Sequence, residues 1–196
     1  MQRQLIDGFP FVNFAPSPQA RPAISKGLKP EDEKFSAIVF KMQANIDPQH
    51  RDCLAFLRIC SGKYEPGISV VSSKAKRDIK LSSAFNLFGK DRVIVDIGYA
   101  GDVISIVDTS KKLSIGDTLS ELAGVQYEEI PRFMPERFAS LDKIDPLKRK
   151  QLQKGIEQLS QEGVIQALRD SKYAYTSFVV GVVGELQFDV FKYRML

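Results

Sequence analysis

The stretch RICSGKYEPGISVV, residues 58–71, holds two cations with chemical potential. Arg58 sits inside an apolar strand pattern, and Lys63 sits in the glycine-bearing turn that follows. A phosphate-cradling loop needs glycines spaced so that several backbone N–H groups converge on one phosphate, and then a Lys-Ser/Thr pair. SGKYEPG lacks the upstream glycine and carries Tyr64 where the hydroxyl residue belongs. Gly89 before Lys90 does no better, and there is no guanine-reading Asn-Lys-x-Asp run. The turn reads as a hairpin, and the residues present are expected neither to bind nor to hydrolyse a nucleotide.

Other constellations are thinner. HRDC gives His50 and Cys53 a two-residue gap, with Cys60 as a third soft donor, but a structural zinc needs four ligands in paired spacing. A Ser-His-Asp or Cys-His arrangement would have to use His50, the single histidine, which lies in a polar loop with nothing near to orient it. The aspartates and glycines of GYAGD and SIGD are usual turn residues. No metal, catalytic or cofactor residue is assigned.

The basic residues are harder to set aside. Between Arg58 and Arg92 stand Arg58, Lys63, Lys74, Lys76, Arg77, Lys80, Lys90 and Arg92, against Glu65, Asp78 and Asp91, a balance of 8 − 3 = +5. The whole chain is only +4, so this window exceeds the total. Residues 121–145 run the other way, with six acidic residues against three basic. A charged barrel edge can be plain solvated surface. Phosphate-backbone contact by Arg and Lys needs no further motif. Tyr64, Phe85 and Phe88 are few for base stacking, so shape recognition of folded RNA fits better than single-strand reading.

The elements that must position these side chains follow from punctuation. The chain has 196 residues, 43% hydrophobic and 27% charged, enough for one large or two small globular domains. Its apolar runs, such as FVVGVVG at 178–184, are too short to span a bilayer. MQRQLIDG opens without a secretory h-region, and two cysteines make no disulfide framework, so a reduced, cytoplasmic protein is expected. Residues 1–34 read as the end of a helix followed by an extended linker with four prolines.

From Phe35 to about residue 125 short apolar segments alternate with turn signals, as in a small β-barrel. FSAIVFKMQ and CLAFLRIC flank the loop IDPQHRD; ISVVSS and IKLSSAFNLF flank the turn SKAKRD; RVIVDIGYAGDVISIVD and LSIGDTL close the series. From 126 to 196 the order becomes β-α-β-β-α, most of a ferredoxin-like split unit with one strand edge open. Its first helix is punctuated by Asp145 as N-cap, Pro146 at the first helical position and Gly163 as C′, with Leu152, Ile156 and Leu159 as the buried stripe. The chain ends inside its second helix, ELQFDVFKYRML, as expected of a fragment.

At RICSGKYEPG and YAGDVISIVDTSKKLSIGDTLSE the sequence resembles the second domain of translational GTPases. FSAIVFKMQANIDPQHRDCLAFLRICSGKYEPG, QLSQEGVIQ and VVGVVGELQFDVF are similar to the release factor 3 family in particular, with Asp47, His50 and Arg51 in its signature loop. LIDGFPFVNFAPSPQAR resembles the exit from that family's GTP-binding domain, and Cys53 stands where a basic residue is expected. The resemblance implies a translation-factor β-barrel over 35–125 and a partial ferredoxin-like α/β domain over 126–196. It implies that GTP and Mg2+ belong to a GTP-binding domain outside these residues. It also implies as partners that domain, small-subunit ribosomal RNA and protein, and a class I release factor, with no membrane. The basic residues named above are then the RNA-contact candidates. An elongation factor G relative, which would lack the IDPQHRD loop, and a stand-alone RNA-binding barrel are the alternatives.

Overall fold

The computed structural model describes residues 28–44, 53–88, 91–108, 113–141, 147–168 and 178–195. Among these, strands β1 (Ser36–Ala44), β2 (Cys53–Ser61), β4 (Ile68–Ser72), β5 (Arg77–Leu81), β6 (Ala84–Phe88), β7 (Asp91–Val95), β9 (Val103–Val107) and β10 (Thr118–Ser120) form one antiparallel sheet. Its order is β5-β4-β10-β1-β2-β9-β6-β7. The short strands β3 (Lys63–Tyr64) and β8 (Gly98–Tyr99) make a separate pair. Inward side chains from both ends of the sheet, Leu81 of β5 and Val95 of β7, belong to one core with Val39, Leu57, Ile59 and Ile104. Strands so far apart in order share a core only when the sheet is rolled on itself.

Two sequence expectations change. IKLSSAFNLF reads as one strand, but the structure breaks it at Ser82–Ser83, because β5 is one edge of the sheet order and β6 lies next to the other edge strand, β7. Leu81 and Ala84 both enter the core while the serines cross the barrel mouth exposed. RVIVDIGYAGDVISIVD resolves into β7, β8 and β9, with turns at Asp96 and Ala100–Gly101.

Alternation sets which residues serve the core, and two register shifts between β1 and β2 reset it. The β1–β2 register steps from Val39↔Leu57 to Lys41↔Phe56. The extra residue, Phe40, re-phases β1, so Val39 and Met42 both point inward although three positions apart. On the outer face Ile38 and Cys60 pack under Val125 and Tyr127. A hydroxyl relay closes this seam. Ser61 Oγ donates to the Lys34 carbonyl (2.8 Å), so its contact with Ser36 Oγ needs the Ser36 proton, and the Ser36–Tyr127 contact (2.6 Å) then needs the phenol proton. Burial, the dominant cause, pushes the Tyr127 phenol up to about 12.

The remaining strands, β11 (Arg137–Leu141), β12 (Gln166–Leu168) and β13 (Phe178–Val182), form a second sheet in the order β11-β13-β12, with β13 antiparallel to both neighbours. Helix α1 (Arg149–Gln161) joins β11 to β12 around the central strand, as in a split βαβ unit, and α2 (Leu186–Met195) follows β13. Ile156 and Leu159 of α1, with Leu152 beside them, pack on Val180, Val182 and Phe191. Gly163, at φ 75°, ends α1 as expected: its N–H reaches the Ser160 carbonyl and that of Val164 reaches Leu159. The other end differs. Asp145 and Pro146 lie outside the described residues, and the helix starts at Arg149 from Lys148, which makes no side-chain cap.

Candidate nucleic-acid interface

The glycine of SGK answers to chain crossing. Gly62 has φ 64°, and a Cβ there would lie 2.6 Å from the Lys34 carbonyl carbon, so the turn passes directly beneath the entering chain. Lys63 is exposed and bound to Glu65 at 2.7 Å, and that hydrogen bond and charge push its ammonium pKa up. The turn read as a hairpin is instead a crossing: β3 pairs with β8, and the flanking strands β2 and β4 are not neighbours in the sheet.

The basic residues divide by position. Arg58 is half-buried on β2, opposite Ile38 of β1 and Val103 of β9, with its Nε out of water and unbonded among the described residues. Arg92 is half-buried on β7, opposite Leu87. Lys90, with Asp47, His50 and Arg51, lies outside the described residues. Cys53 and Cys60 pack on opposite faces of β2, one with the main core and one with Tyr127.

Lys74, Lys76, Arg77 and Lys80 share the β4–β5 hairpin, whose outer strand is an edge of the rolled sheet. The register Ser72↔Arg77 and Ser69↔Lys80 puts Arg77 at the turn and Lys80 about 10 Å down the strand. Of the RNA-contact candidates, these four share one hairpin, while Arg58 lies on β2 and Lys63 on β3. Lys76, Arg77 and Lys80 are exposed and make no ion pair among the described residues. Lys74 is tied down, donating to the Ile115 carbonyl at 2.9 Å with the Glu129 carboxylate 4.0 Å away. Asp78 alone sets a negative charge on the outer strand.

The turn is built on a residue that reading SIGD as plain punctuation missed. Asp117 is fully buried and lies beside the turn, at the start of β10. Its carboxylate accepts from Ser72 Oγ (2.7 Å), Ser73 Oγ (3.0 Å) and Lys74 N–H (3.1 Å). Ser72 Oγ in turn accepts the Ala75 N–H, and Ser73 Oγ accepts the Thr118 N–H. With the turn so pinned, Lys76 adopts φ 49°, the left-handed region that side chains other than glycine avoid. The sequence signal was the adjacent pair Ser72–Ser73 before KAKR, a hydroxyl-rich turn start with no helix to cap.

Comparisons with known proteins agree with this architecture. Residues 34–122 match the family described as elongation factor G domain 2, and residues 127–196 match the class II release factor RF3, C-terminal domain. Peptide chain release factor 3 of Gloeobacter violaceus is 41% identical over 185 residues, covering 94% of this chain and 35% of that protein. The chain therefore spans about a third of the length of the curated relative it matches. A crystal structure of a Thermus thermophilus protein superposes with a TM-score of 0.68 at 23% identity, over 84% of this chain and 24% of that one, a likeness of fold. A rolled barrel, a split βαβ unit and a sequence match running through both place the chain in the release factor 3 family.

Proposed function

We propose that this chain is a ribosome-docking portion of a cytoplasmic release factor 3. In the whole protein, GTP and Mg2+ held by a separate GTP-binding domain would drive departure of the class I release factor after peptide release. In this reading residues 35–125 are the translation-factor barrel and 126–196 part of the next domain. The catalytic step lies outside both, and the chain's own task is to lean on small-subunit RNA and protein. The observation that carries it is the β4–β5 hairpin: Lys76, Arg77 and Lys80 are exposed and without ion pairs among the described residues, the first two at a turn held by a buried carboxylate and Lys80 further along the edge strand. Three cations presented on a rigid edge suit phosphate contact, which positions a protein on RNA without reading bases.

The test is binding of the chain to isolated small ribosomal subunits across a salt series. Wild type should weaken steeply with salt, by about 0.7 to 0.9 log unit per log unit for each phosphate contact. Lys76→Ala, Arg77→Ala and Lys80→Ala together should lower affinity and make the slope shallower, with the fold unchanged by circular dichroism. An unchanged slope in the triple variant would assign the hairpin charges to solvent, where lysines on an edge strand guard against sheet-to-sheet pairing.

A further inference from the structure

Resting on that RNA-docking reading, we infer that Asp117 is the positioning residue of the interface: its buried carboxylate sets the turn 73–76 so that Lys76 and Arg77 are presented together. Its two oxygens take three donors from three consecutive residues, Ser72, Ser73 and Lys74, more than forty positions away in sequence. Each serine proton is committed to the carboxylate, while each serine oxygen receives a backbone N–H, from Ala75 and Thr118. The turn therefore has no rotatable hydroxyl left to relax into another shape. The Lys76 N–H closes the same turn on the Ser72 carbonyl at 2.9 Å. A turn without this anchor would relieve the left-handed Lys76 by changing its backbone, and would swing the Lys76 and Arg77 side chains apart.

Asparagine at 117 keeps the shape but turns one acceptor into a donor. It would face a Ser72 oxygen already receiving an N–H, or an Oδ1 site that takes two donors. Asp117→Asn should lower affinity for small subunits by about threefold to tenfold and reduce the salt slope by roughly one contact. In a Lys76→Ala, Arg77→Ala background it should cause no further loss, because the contacts it positions are gone. A purely structural role would give a lower melting temperature with unchanged affinity and slope, or equal losses in both backgrounds, and either result overturns the inference. Should Asp117→Asn fail to fold, Ser73→Ala removes one of the three donors and is held to the same non-additivity. If the Lys76→Ala, Arg77→Ala variant itself binds like wild type, the RNA reading falls and takes this inference with it. If that variant weakens binding while Asp117→Asn does not, only this inference falls.

Discussion

Two of the carboxylates that leave water among the described residues, Asp117 and Glu162, are satisfied in different ways. Asp117 is 0% exposed, and the partners named above are neutral dipoles, two hydroxyls and a backbone N–H. Glu162, its side chain 5% exposed, takes both arms of the Arg194 guanidinium at 3.0 and 3.1 Å and the Ala44 N–H at 3.2 Å. Dipoles fixed to one turn make a local device, since moving any of them breaks the same loop. A cation on a long stem makes a device that joins elements: Glu162 ends α1, Arg194 lies in the last turn of α2, and Ala44 ends β1 of the barrel. An acid at a helix C-terminus meets the negative end of the dipole, and Arg194 offsets that. Asp117 shapes one hairpin; Glu162 ties the barrel to the helices beyond it.

The largest effect should come from Asp117→Ala, which strands the buried Ser72 hydroxyl, the half-buried Ser73 hydroxyl and an N–H at once. A cost of about 3 to 5 kcal/mol is expected, read as a shift of the urea midpoint at constant slope. Arg194→Met removes the cation and leaves Glu162 buried. Because the Arg194 side chain is 27% exposed and water can reach part of the site, the loss should be smaller, about 2 kcal/mol. It should also appear as faster amide exchange at Ala44 and along α2, a reach that Asp117→Ala should lack. The contrast between the two acids is lost if Arg194→Met leaves Ala44 exchange unchanged, for then Glu162 is as local as Asp117.

Much of this was legible in the chain. Apolar segments bounded by turn residues place β1, β2 and β4, and Gly163 marks the end of α1 because a left-handed C′ position favours it. The Ser82–Ser83 break was not legible, since a run of β-formers carries no mark of where a sheet order turns over. Nor was the Phe40 bulge, which alternation alone reads as a continued strand. At the interface, composition found the cations. It could not separate Lys63, held by Glu65, or Lys74, held by Ile115, from Lys76, Arg77 and Lys80. Asp117 was hidden because an aspartate after glycine looks alike whether it faces water or three donors.

The relay from Tyr127 through Ser36 to Ser61 gives a third comparison, a buried acid kept neutral rather than paired. Its folded pKa, about 12, lies above the ordinary phenol value of 10, so the contribution to stability is fully present below pH 10. It is lost as pH rises from 10 toward 12, where the unfolded chain ionises first. Alkaline unfolding of wild type should therefore steepen in that window, and Tyr127→Phe, lower in stability at neutral pH by about 1 kcal/mol, should lack the steepening. Parallel curves for the two proteins above pH 10 would mean that the phenol titrates as freely folded as unfolded.

The smallest effect should come from Lys76, and it has the opposite sign. At φ 49° a side chain strains the backbone, and glycine there should relieve on the order of 1 kcal/mol. Part of that gain returns to the unfolded chain, whose freedom glycine increases. Lys76→Gly should therefore melt at or slightly above the wild-type temperature, while Lys76→Ala, which keeps the strain, should not gain. Both remove the charge, so both should weaken small-subunit binding alike. A Lys76→Gly chain that is clearly destabilised would mean that the freedom glycine adds to the unfolded chain outweighs the strain it relieves, so that the left-handed Lys76 stores little strain. A Lys76→Gly chain that keeps both wild-type affinity and slope would remove Lys76 from the interface and leave Arg77 and Lys80 to carry it.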